Sequence, residues 1–89
     1  MEHKSHEQLL SELELAKTKI AVGSFYTHYK HPDIKEYQIV DVGIFEKTEE
    51  VCIVYKSLHT GISWIRTIDN FLEEVEVEGK KVKRFKNVK

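Results

Sequence analysis

The hydrophobic pattern of this chain changes period at Gly23, and that change limits its fold more than any other feature. Before Gly23, Leu9, Leu13, Ala16 and Ile20 recur at steps of four, three and four, with Leu10 beside them, which is one face of an α-helix. Ser5 followed by Gln8 reads as a capping box, in which two side chains satisfy backbone donors that the first turn leaves orphaned. Gly23 tolerates the left-handed conformation that ends helices, so the boundary is expected at about Val22. After Gly23 the segments SFYTHY, EYQIVDV, EVCIVYKSL and ISWIRTI are rich in β-branched and aromatic residues and alternate with a period of two. Four strands follow. The turn HPDIK carries the only proline, IFEKTEE reads as an exposed hairpin connection, and HTG as a tight one. TIDNFLEEV is expected to hold one helical turn, capped by Thr67 or Asp69.

The C-terminal stretch VEVEGKKVKRF predicts a further hairpin, turning at Glu78 and Gly79. That register sets Glu76 against Lys81 and Glu74 against Lys83 on one face, with Val75 against Val82 on the other. GKKVKRFKNVK holds six basic residues and no acidic one, which would suit phosphate. The cross-strand glutamates favour a solvated, locally neutralised hairpin instead, leaving Arg84, Lys86 and Lys89 without an evident partner.

A chain of 89 residues accommodates one domain, read here as an N-terminal amphipathic helix over residues 1–22 and a small β-barrel over residues 23–89. The fold class expected is mainly β with one N-terminal α-helix. Short strands without a crossover helix must pair antiparallel, which points to a small SH3-like half-open antiparallel barrel, with an OB-like barrel as the runner-up. The helix's apolar stripe is expected to pack on this sheet, the alternative being a homodimer formed through the N-terminal helix. A net charge of −1 argues against a whole-molecule polyanion binder. Cys52 is the single cysteine, so no intrachain disulfide forms, and its apolar strand suggests a small buried thiol. The sequence shows no secretory pattern at MEHKSHEQ and no apolar run long enough for a membrane; the expected location is cytoplasmic.

VGSFYTHYKH concentrates aromatic and imidazole side chains on one segment. Alternation sorts Phe25, Thr27 and Tyr29 from Tyr26, His28 and Lys30. Lysine is almost never buried unless paired, so the Lys30 side is expected to be the wet one, with Tyr26 and His28 outside the main core. In ISWIRT the same rule puts Trp64 beside Arg66, a flat face next to a rigid fork of donors, and Tyr55 extends the surface. The competing structural reading is that Trp64 plugs one end of the barrel with Arg66 snorkelling over it. Two H-x-x-H pairs, His3 with His6 and His28 with His31, raise metal binding. The first precedes the helix cap, and the second diverges on a strand unless Pro32 swings His31 back, so no metal and no cofactor is expected. Nucleophile elbows, zinc-protease motifs and phosphate loops are absent from the sequence, which leaves His28 acting with Tyr26 or Tyr55 as the sole acid–base arrangement of an enzyme reading.

The ordered series VGSFYTHYK, EVCIVYKSL and SWIRTIDNFLEEVEVEGKKVKRF resembles an uncharacterised bacterial family, domain of unknown function 1653, over about residues 22–86. Gly23, Tyr26, His28, Tyr29, Lys30, Tyr55, Trp64, Arg66, Phe71, Gly79, Arg84 and Phe85 carry that resemblance. The chain departs from the pattern where HPDIKEY replaces a shorter Gly-containing turn and where Thr67 replaces a proline after the arginine. The resemblance implies a small β-rich domain of unestablished function, with the N-terminal helix outside it.

The expected function is therefore a non-enzymatic binding module whose Tyr26, His28, Lys30, Tyr55, Trp64 and Arg66 form an aromatic and basic groove. Its ligand would be anionic and flat or extended: a nucleotide, single-stranded nucleic acid or an acidic peptide.

Overall fold

The computed structural model describes residues 3–88. Helix α1 spans His6–Lys19 and is capped by Ser5, whose hydroxyl accepts from the Gln8 amide at 3.1 Å. It ends at Lys19, before Val22, because Ile20 leaves the helix in extended conformation and buries completely. Gly23 takes its positive φ of 89° in the turn beyond, where its amide donates to the Ile39 carbonyl at 2.8 Å.

Strands β1 (Phe25–His28), β2 (Tyr37–Phe45), β3 (Glu50–Ser57) and β4 (Ser63–Thr67) form an antiparallel meander. β2 runs through Phe45, so part of the expected loop IFEKTEE is strand. Helix α2 (Ile68–Leu72) follows β4, and of its two candidate caps Thr67 is the one used, accepting from the Asn70 amide at 3.2 Å. Next comes the separate hairpin of β5 (Glu74–Val77) and β6 (Lys80–Lys83), and then β7 (Phe85–Val88). β7 pairs with β1, giving the five-stranded order β4-β3-β2-β1-β7. The sheet does not close, since β4 and β7 are its edges. The result is a half-open antiparallel barrel of the SH3-like kind, with α1 over β2 and β3 and α2 against β3 and β4.

A bulge between Ile39 and Asp41 lets β2 keep one face on the core. Ile39 and Val42 are three residues apart, which strict alternation would send to opposite faces, yet both are buried and Val40 is exposed. The core joins Ala16 and Ile20 of the helical segment to Tyr26, Ile39, Val42, Ile53, Tyr55, Phe71 and Phe85. Each fully buried side chain of this size contributes about 1.5–3 kcal/mol. α1 therefore packs on its own sheet. Leu10 lies outside the contact and is exposed.

The β5–β6 hairpin has the expected register, Glu74 opposite Lys83, Val75 opposite Val82 and Glu76 opposite Lys81. Among the described residues none of these charge pairs closes into a salt bridge. The basic tail divides at Arg84, which leaves the hairpin and enters the main sheet. Arg84, expected to lack a partner, donates through Nη2 to Glu73 Oε1 at 2.8 Å, and its amide donates to the Glu73 carbonyl at 3.2 Å. Lys89 lies outside the described residues.

Candidate functional site

Register across β3 and β4 places the tryptophan and arginine. Trp64 pairs with Tyr55 and Arg66 with Ile53, so both side chains share the concave face on which Tyr55 and Ile53 are buried. β4 is an edge strand, and Trp64 remains 49% exposed; it does not plug the barrel. Arg66 is half-buried. Its Nε donates to the Tyr55 hydroxyl at 2.8 Å, and Nη1 donates to Asn70 Oδ1 from the first turn of α2. Its Cζ lies 5.6 Å from the Phe85 ring centroid.

Phe85 is the floor common to both sides of this face. It stacks on Phe71 with centroids 4.4 Å apart, and the Tyr55, Tyr37 and His28 rings meet it edge to face at 5.3, 5.7 and 5.2 Å. β7 opposite β1 creates this arrangement, because Phe85 falls directly across from His28. The sequence reading missed β7 because its pairing with β1 joins residues at opposite ends of the chain. Phe85 itself entered that reading only through the family resemblance.

Tyr26 and His28 share a face as expected, but it is the inner one. Tyr26 is 6% exposed and packs edge to face on Phe71, while Phe25 and Thr27 turn outward, so the expectation that Tyr26 lies outside the main core is reversed. β1 ends at His28, and Tyr29 and Lys30 already belong to a turn. Lys30 therefore says nothing about the strand's faces. It is exposed, with Nζ 5.9 Å from the Tyr29 ring centroid. Burial pushes the Tyr26 phenol above its ordinary range, against hydrogen bonds from Asn87 and Ser24. Tyr55 is 4% exposed and reaches the site through its hydroxyl alone.

The Lys30 amide donates to His28 Nδ1 at 3.2 Å, which leaves the proton of the neutral imidazole on Nε2. Burial lowers the His28 pKa first; Glu36 opposes that, and Lys30, Arg66 and Arg84 reinforce it. Two buried polar atoms near this histidine, Glu36 Oε2 and Arg84 Nε, lack a protein partner among the described residues. Tyr37 is likewise pushed up by burial, then by Glu36 and Tyr55.

Of the six expected site residues, the fold gathers Arg66, Tyr55 and His28 around Phe85, sets Trp64 opposite Tyr55 on the same face, packs Tyr26 on Phe71 and leaves Lys30 exposed in the turn after β1. Asn70, Glu36 and Arg84 join that neighbourhood unpredicted. Asn70 followed Arg66 by four residues across a predicted helix cap, and that spacing was the available signal. His28 and His31 meet as an isolated bridge through the His31 amide and the His28 carbonyl, 2.8 Å apart. Among the described residues no group of three or more His, Cys, Asp or Glu is placed to hold a metal ion, and no helix is long and apolar enough to cross a membrane. Cys52 is buried, and burial, with Glu50, raises its thiol pKa. A separate cleft of about 530 Å³ lies between the β5–β6 hairpin and β1–β7, lined by Tyr29, Val77, Val82, Lys83 and Lys86 among others.

The open barrel and its half-exposed aromatic and basic face define a small SH3-like β-domain. The chain belongs to the family described as protein of unknown function DUF1653, whose model matches residues 24–87, all of the sheet except its last residue and none of α1. Comparisons with curated proteins and with solved structures find no match.

Proposed function

We propose that this protein is a binding module for a nucleotide or a short single-stranded nucleic acid, held on the face of Trp64, Arg66 and His28. The observation that carries the reading is the pairing of a half-exposed tryptophan with an arginine already oriented by Tyr55 and Asn70. A base has a flat π-face for Trp64, and its phosphate suits the guanidinium donors that the two protein contacts leave over. An acidic peptide would use the charge but not the ring. His28 adds an Nε2–H donor. Glu36 repels an anion at the His28 end, so the phosphate belongs at the Arg66 end. The same tautomer speaks against His28 as a general base, because Nδ1 is occupied and Nε2 carries the proton.

Trp64 is the only tryptophan, so its fluorescence reports directly on the site. Titration with ATP, with a ten-nucleotide oligothymidylate and with a decaglutamate peptide is expected to quench Trp64 for the first two at low salt. Arg66→Ala should weaken that binding about tenfold or more, the loss of a charge-assisted contact of about 1.5–3 kcal/mol. Quenching by decaglutamate alone, by no probe, or undiminished in a folded Arg66→Ala protein overturns the reading.

A further inference from the structure

We infer that the free edge of β4 pairs with the same edge of a second copy of this chain, antiparallel about a two-fold axis through Ile65. The strand's hydrogen-bond phase comes first. The Ser57 amide donates to the Ile62 carbonyl at 2.9 Å, so Ser57 and Ile62 are a hydrogen-bonded pair. Antiparallel ladders alternate such pairs with non-bonded ones. Trp64 opposite Tyr55 and Arg66 opposite Ile53 are then hydrogen-bonded to β3, whereas the amide and carbonyl of Ile65 point away from β3 to the open edge. Ile65 is 67% exposed, the most exposed of the large apolar side chains among the described residues.

Natural sheets protect such an edge with lysine, proline, inward charge or a bulge. The other edge, β7, carries Lys86; β4, Ser-Trp-Ile-Arg-Thr, has no lysine, proline or bulge, its ladder with β3 is regular, and its one inward charge, Arg66, is a device that a complementary partner can satisfy. What it has is self-complementarity. An axis through Ile65 makes Ile65 a hydrogen-bonded pair with its own copy and sets Ser63 against Thr67. Trp64 of one copy then stands directly opposite Arg66 of the other, on the concave face, where cross-strand neighbours lie about 4.5–5.5 Å apart at Cβ. Tyr55 and Asn70 already fix the orientation of the planar Arg66 guanidinium, ready to receive an indole as a cation–π partner. A one-residue slip in either direction removes that match, so a second copy fits this edge better than an arbitrary strand. The two concave faces become neighbours across the axis. This association needs no nucleotide, but it engages the same Trp64 and Arg66 that a nucleotide would occupy, so its test is run without one.

Sedimentation equilibrium of the wild-type chain up to about 1 mM, a range that captures weak association, is expected to show an average mass rising towards twice the monomer's. Ile65→Lys places like charges on the axis, and its side chain faces solvent in the monomer; it should remain monomeric over the same range with an unchanged circular dichroism spectrum. Amide exchange gives a second readout: Ile65 N–H exchanges freely when dilute and becomes at least tenfold slower when concentrated, while the α1 amides do not change. A monomer at every concentration overturns the inference. So does a dimer that survives Ile65→Lys or leaves the Ile65 amide unprotected, as a dimer through α1 would.

Discussion

Arg66 Nε lies 2.8 Å from the Tyr55 hydroxyl, so the one cation on the inner side of β4 is positioned by a tyrosine that is otherwise core. Tyr55→Phe keeps the ring, its edge-to-face contacts with Phe71 and Phe85, and the packing of β3. It removes the acceptor alone. A hydrogen bond from a charged donor contributes about 1.5–3 kcal/mol where buried, and a partly buried one should fall at or below the lower end. The urea midpoint is expected to drop by the equivalent of about 1 kcal/mol with the slope unchanged. Nucleotide affinity should fall as well, because Arg66 loses its orientation.

Phe71 links α2, which packs on β3 and β4, to β7 through Phe85. It is 1% exposed, stacks on Phe85 and meets Tyr26 and Tyr55 edge to face. Phe71→Ala leaves a cavity among rings that the backbone cannot close, and should cost about 3–5 kcal/mol. A domain of this size is expected to hold little more than that, so the variant should be largely unfolded at 37 °C by near-ultraviolet circular dichroism. Phe71→Leu, which refills most of the space, should stay folded with a lower midpoint.

The sequence made the local features readable and left the long-range ones hidden. Ser5 and Thr67 as caps, the turn at Glu78 and Gly79 and the full β5–β6 register follow from residues a few positions apart, whose side chains meet whatever the rest of the chain does. β7 beside β1 is different: nothing near Phe85 specifies that it lies opposite His28. The same gap reversed the two faces of β1. Alternation grouped Tyr26 with His28 correctly, but choosing the inner face required knowing that the strand stops at His28, so that Lys30 carries no information about it. Trp64 was legible as a neighbour of Arg66, whereas its exposure depends on β4 being an edge, a property of the whole sheet.

The turn of the β5–β6 hairpin contains a removable strain. Glu78 adopts φ 51° and Gly79 φ 79°, the mirror-image geometry that matches hairpin twist and favours Asn-Gly. Glutamate carries a Cβ cost in that region which asparagine bears more easily. Glu78→Asn should stabilise the domain by about 0.5 kcal/mol, and Gly79→Ala should destabilise it by about 1 kcal/mol. Thermal midpoints of the two variants should therefore move in opposite directions.

His28 gives the fold a defined response to acid. Burial holds its pKa below the ordinary 6.5; Glu36 opposes that, and the positive charges of Lys30, Arg66 and Arg84 reinforce it. The unfolded chain therefore takes up this proton before the folded one does, and stability rises with pH wherever the unfolded state binds more protons. The contribution from neutral His28 is complete above the unfolded value. It is lost as pH falls through 6.5 towards the folded pKa, and no further loss comes from this group once both states are protonated. An imidazole titration by nuclear magnetic resonance should place His28 below the ordinary 6.5. The midpoint of urea unfolding should fall between pH 7 and pH 5.5 in the wild type. In His28→Asn, whose amide oxygen can still accept from Lys30 N–H, most of that slope should vanish. An equal slope in the two proteins would assign it to another group.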